Sequence, residues 1–280
     1  MVSIAKDLNS RITLNDGVEM PYYGLGMYKS RSGQEGHAEE AVTLALKLGY
    51  RLLDTSEFYG NEEDVGIGIR NSGVKRGDIF VVTKVWDHGY DTCKEHFYES
   101  LKRLSLDYVD LYMIHAPIGG QNVETYRAMV ELKEQGLIRS IGVSNFGVHH
   151  LEGLAESGLP TPSVCQVELH PWQQKQDIVN YCRNHRIAVM GYAPLTQGKR
   201  LNDPALVKIG ETYDKSGAMV LLRWSVQHGF ITIPKSSNPQ RIRENTSVFD
   251  WSLRKEDMEA LDKFPEWSCT WNPCLSPWVG

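Results

Sequence analysis

Short apolar runs recur along the chain at residues 20–28, 50–54 (YRLLD), 79–85 (IFVVTKV), 109–115 (VDLYMIH), 138–144 (IRSIGVS), 164–170 (VCQVELH), 187–194 (IAVMGYAP) and 229–235 (GFITIPK). Several show almost no apolar–polar alternation, as strands covered on both faces should. Between them, segments 35–49, 62–73, 91–104, 124–136, 148–158 and 174–186 carry apolar residues at three- and four-residue steps. Four of these stop at a glycine (Gly49, Gly73, Gly136, Gly158), a helix C-terminal signal. The units recur roughly every 23–30 residues, with a longer interval before the last strand, and predict about eight βα units. A doubly wound sheet is the rival, but it rarely needs eight strands in one uninterrupted series. No linker, low-complexity tract or composition break interrupts the chain, so residues 1–280 read as one domain.

Two segments lie outside the repeat. Residues 12–20 (ITLNDGVEM) place Asn15-Asp16-Gly17 between β-prone runs, a hairpin signature that predicts a plug at the amino end of a barrel. The tail, 264–280, holds three prolines and three tryptophans. It reads equally as a surface tail pinned by tryptophans or as a wall of the ligand site. The fold class is therefore α/β: a single (β/α)8 TIM barrel with an N-terminal β-hairpin plug and a C-terminal substrate-site tail.

Composition narrows the setting. Hydrophobic residues make up 41% and charged residues 23%, ordinary values for a globular protein. The net charge of −5 argues against a nucleic-acid or anionic-membrane surface. The first sixteen residues lack the apolar core of a signal peptide, and no stretch approaches the ~20 apolar residues of a membrane span. The five cysteines are scattered with no CxxC pair, which suggests neither a disulfide framework nor structural zinc and fits a reducing cytoplasm. His149, His150, His170 and Cys165 form no recognised ligand spacing, and His149 and His150, adjacent at a helix start, are expected to point apart; no metal is expected. A barrel closes its own core, so a monomer is expected.

The chemistry lies at the strand ends. Asp54, Tyr59, Lys84 and His115 fall at or just past the ends of three consecutive runs. If those strands are parallel neighbours, the four converge where such sheets bind ligands. Individually, each has an ordinary reading: a cap, a packed ring, a paired lysine, a satisfied histidine. Together they make a proton donor (Tyr59), an amine that tunes it (Lys84), the amine's counter-ion (Asp54) and a group that orients a substrate oxygen (His115). The ammonium is expected to lower the phenol from its reference pKa of ~10. Ser144 and Asn145 after the fifth run, Gln166 and Glu168 on the sixth, and Tyr192 on the seventh face the same mouth. Ser, Asn and Gln can hold a carboxamide, and a tyrosine ring can stack on a nicotinamide. After the last run, Lys235-Ser236-Ser237-Asn238-Pro239-Gln240-Arg241 is a basic, hydroxyl-rich loop opening a helix, placed where barrels often bind phosphate, and Arg241 can fork onto it. No GxGxxG follows any predicted strand, so a Rossmann site is unsupported.

These residues stand in longer stretches, GLGMYKS (24–30), LLDTSEFYGNE (52–62), VTKVW (82–86), DLYMIHAP (110–117), IGVSNF (141–146), QVELHP (166–171), GYAPL (191–195) and IPKSSNPQRIREN (233–245), that closely resemble the aldo-keto reductases over nearly the whole chain. The resemblance implies a (β/α)8 barrel that binds NADPH without a Rossmann unit and reduces small carbonyl compounds to alcohols. By position, Tyr59 is implied as general acid with Lys84, Asp54 and His115. Ser144, Asn145 and Gln166 are implied as the carboxamide clamp and Tyr192 as the stacking ring. Leu195 and Thr196 would lie along the pyrophosphate, Lys235, Ser236, Ser237 and Arg241 about the 2′-phosphate, and Glu244 and Asn245 near the adenine. Tyr28, Trp86, His115 and Ala116 are implied as substrate walls. Ala116 and Tyr28 replace tryptophans common in relatives, and Ala116 should widen the pocket. A non-catalytic member that keeps the cofactor pocket, crystallin-like or channel-associated, is the alternative, as is an isomerase or aldolase using Lys84.

Overall fold

The computed structural model describes residues 4–30 and 38–280. The opening of the helix expected at 35–49 and the first three residues lie outside the described residues.

Eight parallel strands form one sheet in sequence order: β3 (Leu25–Gly26), β4 (Leu52–Asp54), β5 (Phe80–Val85), β6 (Val109–Ile114), β7 (Ile138–Ser144), β8 (Val164–Glu168), β9 (Ala188–Tyr192) and β10 (Ile231–Thr232). Parallel bridges Tyr23–Thr232 and Gly26–Lys235 close the first strand onto the last, as the barrel reading requires. The closure depends on a missing side chain: a Cβ on Gly26 would fall 2.8 Å from the Ile233 carbonyl oxygen. Every residue of β5 and β6 is buried, which is why those runs lack alternation.

Outside the sheet lie α1 (Ala38–Lys47), α2 (Glu62–Ser72), α3 (Tyr90–Leu104), α4 (Asn122–Glu134), α5 (Val148–Glu156) and α6 (Gln176–Asn184), in the predicted segments. Gly49, Gly73, Gly136 and Gly158 all take positive φ, which a residue with a Cβ resists. The longer interval before the last strand holds two helices that the sequence reading did not assign, α7 (Pro204–Glu211) and α8 (Gly217–Gln227). Beyond β10 come α9 (Pro239–Glu244) and α10 (Lys255–Leu261). No helix among the described residues is long and apolar enough to cross a membrane.

The hairpin is present, as β1 (Arg11–Thr13) paired antiparallel with β2 (Glu19–Pro21), Ile12 opposite Met20. It shortens the first barrel strand, because part of the 20–28 run pairs back into the hairpin and only Leu25–Gly26 remains for the sheet. Its turn binds the amino end of the barrel: Asn15 donates to the Pro162 carbonyl (3.0 Å) and accepts from Ser163 (2.8 Å), both just before β8.

Candidate active site

Register brings the strand ends together. Asp54, last in β4, lies opposite Val82 of β5, and Lys84 of β5 lies opposite Met113 of β6, two residues before His115. The backbone leaves β4 into a single 3-10 turn, Glu57–Tyr59, capped by the Ser56 hydroxyl and ended by Gly60 at φ +64°. That turn swings Tyr59 back over Lys84. Neighbours of the motif are scaffold: Asn61 bonds Thr55 and the Met27 and Ser30 carbonyls, while the buried Glu62 accepts from Thr83 and Arg103.

Lys84 Nζ is fully buried and donates to Asp54 Oδ1 (2.8 Å), Asp54 Oδ2 (2.9 Å), the Thr55 carbonyl (2.8 Å) and Tyr59 Oη (3.3 Å). A buried ammonium needs such partners. The phenol's shift is the reverse of the sequence expectation. Burial, and next the nearby Asp54 carboxylate, push the Tyr59 hydroxyl well above its ordinary range. Burial and the Asp54 charge outweigh the pull of the ammonium on the phenol. Tyr59 is therefore held as the neutral phenol. Burial, with the Lys84 charge second, holds His115 well below the usual histidine range, so its ring is neutral. His115 Nδ1 lies 2.9 Å from Ser56 Oγ.

The amide-bearing residues gather beside this group. Asn145, at φ +60°, donates to the His115 carbonyl (2.9 Å) and Ser144 Oγ (3.1 Å) and accepts from the Tyr192 hydroxyl (2.8 Å). Gln166 Nε2 donates to Asp54 Oδ1 (2.8 Å) and approaches Met190 Sδ (3.0 Å), leaving Oε1 as an acceptor. The predicted clamp thus touches the ion pair, a link the sequence does not display. Leu195 precedes a further 3-10 turn, Thr196–Gly198, and the Thr196 hydroxyl donates to the Leu195 carbonyl (2.7 Å) and accepts from the Arg200 amide (3.2 Å).

After β10, Ser236 is buried while Lys235 and Arg241 are exposed. Burial, and then the charges of Arg241 and Lys29, depress the Lys235 amine. Lys29 was missed at the sequence level, although it sits in the GMYKS stretch. None of these three cations is in an ion pair among the described residues, so like charges crowd together, as in a cradle for an anion. At the start of the helix, Asn238 Oδ1 already accepts the Gln240 (2.9 Å) and Arg241 (3.1 Å) amides. Glu244 accepts from Gln240 Nε2 (2.7 Å), and the Asn245 carbonyl accepts from the Tyr23 hydroxyl (3.1 Å).

Aromatic rings line the mouth. Trp86 stacks between Phe58 (centroids 4.4 Å) and Trp271 of the tail (5.8 Å), and meets His115 edge-on (5.2 Å). Tyr28, 41% exposed, tilts against Tyr59 at 5.2 Å. Ala116 is buried beside His115. The tail therefore divides its tryptophans: Trp271 walls the mouth, Trp267 lies against His170, and Trp278 packs on Phe146 and His150. One carboxylate anchors it. Glu168 accepts from His170 Nε2 (2.8 Å), Ser268 Oγ (2.8 Å), the Cys269 amide (2.6 Å), and both the amide and the hydroxyl of Thr270. Those donors overcome the burial penalty and hold its pKa at about 2. Glu168, His170 and Cys269 place three potential metal-ligand atoms within 4.8 Å of one another, but the carboxylate already serves the tail. The adjacent histidines do not diverge as expected. The rings of His149 and His150 lie 3.9 Å apart, because both bond to Ser276.

Comparison with known proteins follows this geometry. The sequence model of the Aldo/keto reductase family matches residues 22–266. The glyoxal reductase of Bacillus subtilis (strain 168) is 47% identical over 257 residues, covering 91% of this chain and 92% of that protein. A crystal structure of an aldo/keto reductase from Brucella melitensis superposes with a TM-score of 0.85 at 45% identity, over 91% of this chain and 98% of the other. A Bombyx mori aldo-keto reductase in complex with NADP superposes at 0.85 with 36% identity, over 92% and 93%.

Proposed function

As the chain belongs to the Aldo/keto reductase family, we propose that it reduces small aldehydes and ketones to alcohols with NADPH as the reductant. The observation that carries this reading is the Tyr59 hydroxyl 3.3 Å from Lys84 Nζ, with that ammonium locked on both oxygens of Asp54. When bound, the nicotinamide supplies a hydride to the carbonyl carbon. The chain's own residues manage the oxygen. Hydride arrival breaks the C=O π bond and puts its electron pair on oxygen. An alkoxide is a stronger base than even a buried phenolate, so the proton of Tyr59 passes to it and the alcohol forms. Lys84 then stabilises the phenolate left behind. His115 hydrogen-bonds the same oxygen, and Ala116, Trp86 and Tyr28 bound the substrate, with Phe58 and Trp271 extending the wall.

The donor set supports this place for the cofactor. Ser144, Asn145 and Gln166 hold the carboxamide and Tyr192 stacks on the ring; Leu195 and Thr196 run along the pyrophosphate. Lys235, Ser236, Ser237 and Arg241 hold the 2′-phosphate, joined by Lys29, with Glu244 and Asn245 at the adenine. The crowding of Lys29, Lys235 and Arg241 supports an anion there, and the Bombyx mori relative carries NADP. Similarity to a glyoxal reductase makes short dicarbonyls reasonable first substrates, and the aromatic mouth adds flat aldehydes.

The test is loss of NADPH absorbance with 4-nitrobenzaldehyde and with glyoxal. Tyr59→Phe is expected to lower kcat/KM at least ~100-fold while NADPH still binds, followed by its fluorescence. Turnover near the wild-type rate in that variant would defeat the assignment.

A further inference from the structure

So far Ser56 has only the role of capping the 3-10 turn, yet it is fully buried and touches His115. Its hydroxyl accepts the Phe58 amide (3.2 Å), lies 2.9 Å from His115 Nδ1 and 3.4 Å from the Lys84 carbonyl. A serine hydroxyl has one proton to give. A neutral imidazole carries one N–H, and which nitrogen holds it is set by the bond the other makes. Two arrangements are open. In one, Ser56 donates to Nδ1 and the ring proton sits on Nε2. In the other, Nδ1–H donates to Oγ, and the Ser56 proton must go to the Lys84 carbonyl. The second trades a 2.9 Å contact for one at 3.4 Å, near the limit of hydrogen bonding, and asks Oγ to accept twice. The first uses the shorter contact and asks Oγ to accept only the Phe58 amide.

We propose that Ser56 is a positioning residue: its hydroxyl donates to His115 Nδ1 and holds the ring as the Nε2–H tautomer, so that the opposite edge presents a donor to the substrate oxygen. Nε2 makes no hydrogen bond to any described residue. With the proton on Nδ1 instead, Nε2 would present a lone pair to that oxygen and repel it. The proposal rests on the reductase reading, in which Tyr59 and His115 share one oxygen.

Long-range proton–nitrogen spectra of protein labelled with 15N-histidine read the tautomer without turnover, the His115 signals being assigned by their loss in His115→Gln. Wild type is expected to show Nε2–H, and Ser56→Ala a mixture or Nδ1–H. Wild type showing Nδ1–H, or an unchanged tautomer in Ser56→Ala, overturns the proposal. With 4-nitrobenzaldehyde, kcat should fall roughly 10-fold or more in Ser56→Ala, as wrong-tautomer variants do elsewhere. NADPH affinity should stay unchanged, and Ser56→Thr, which keeps the hydroxyl, should restore both tautomer and rate. A merely structural cap would lower the melting temperature without moving the tautomer, which counts against the role. If wild type reduces no carbonyl at all, the reductase reading fails while the spectra still decide the tautomer.

Discussion

Lys84 is buried with four oxygen contacts, which shapes how substitutions at the centre read out. Removing it leaves Asp54 as an unpaired buried charge, at a cost of about 3–5 kcal/mol, so lost activity would be confounded with lost fold. Tyr59 carries no such burden, which makes Tyr59→Phe the cleaner probe. At the other end of the pocket, Arg241 lies on the surface. Arg241→Met is expected to raise the dissociation constant for NADPH at least ~10-fold, equivalent to about 1.4 kcal/mol, and to leave NADH nearly unaffected. Fluorescence titration with both cofactors checks this, and equal losses would remove the 2′-phosphate role. The four centre residues were legible in the sequence because each lies at or just past the end of an apolar run, where a polar side chain needs a purpose. Ser56 was not, since one hydroxyl in a polar stretch gives no hint of a partner 59 positions away. The phenol's pKa direction was misread for a related reason. The sequence offered Asp54 as the amine's counter-ion but did not show that the phenol itself would be buried, which is the larger cause of its shift.

Among the elements, α2 has the tightest tolerances, and it begins three residues after Tyr59. A Cβ on Gly66 would stand 2.1 Å from the Leu104 carbonyl oxygen of α3, and one on Gly68 would stand 2.7 Å from the Glu39 carbonyl oxygen of α1. The two glycines let α2 lie close between its neighbours. Gly66→Ala forces a backbone shift and is expected to cost about 1–3 kcal/mol, lowering the melting temperature by several degrees, on the order of 2–4 °C per kcal/mol. Thermal unfolding by circular dichroism measures it, and an unchanged midpoint would show that α2 can slide without penalty. The helices α1 to α6 were legible from periodicity, and α1, α2, α4 and α5 also from a terminal glycine. Helices α7 and α8 fell in one long interval without a strand to separate them. The anchoring of the tail was hidden altogether, because Glu168 meets Ser268, Cys269 and Thr270 a hundred residues later.

For the molecule as a whole, buried titrating groups set its response to acid. Burial depresses the imidazoles of His88 and His115, and that of His150 to about 4. An unfolded chain takes up these protons near pH 6.5 and the folded one resists, so stability is full above that value and falls as the pH drops toward 4. Glu168, held at about 2, adds a second loss as the pH falls from about 4.5 to 2. Urea midpoints measured between pH 8 and pH 4 should decline from about pH 6.5 downward; a flat profile to pH 5 would contradict the buried histidines. The eight-unit plan was legible because strands buried on both faces announce themselves, and the hairpin because Asn-Asp-Gly marks its turn. The size of the first strand was not, because the hairpin claims part of the same run. That economy leaves β3 and β10, two residues each, as the seam of the sheet, stitched by Gly24 to Thr232, Gly26 to Pro234 and Thr232 to Tyr22. Lys29 and Lys235 follow the two strands of this seam, so an anion held by both would act as a rivet across it. Amide exchange at Gly24, Gly26 and Thr232 should slow when NADP is added; exchange that ignores the nucleotide would mean that the join and the pocket are mechanically separate.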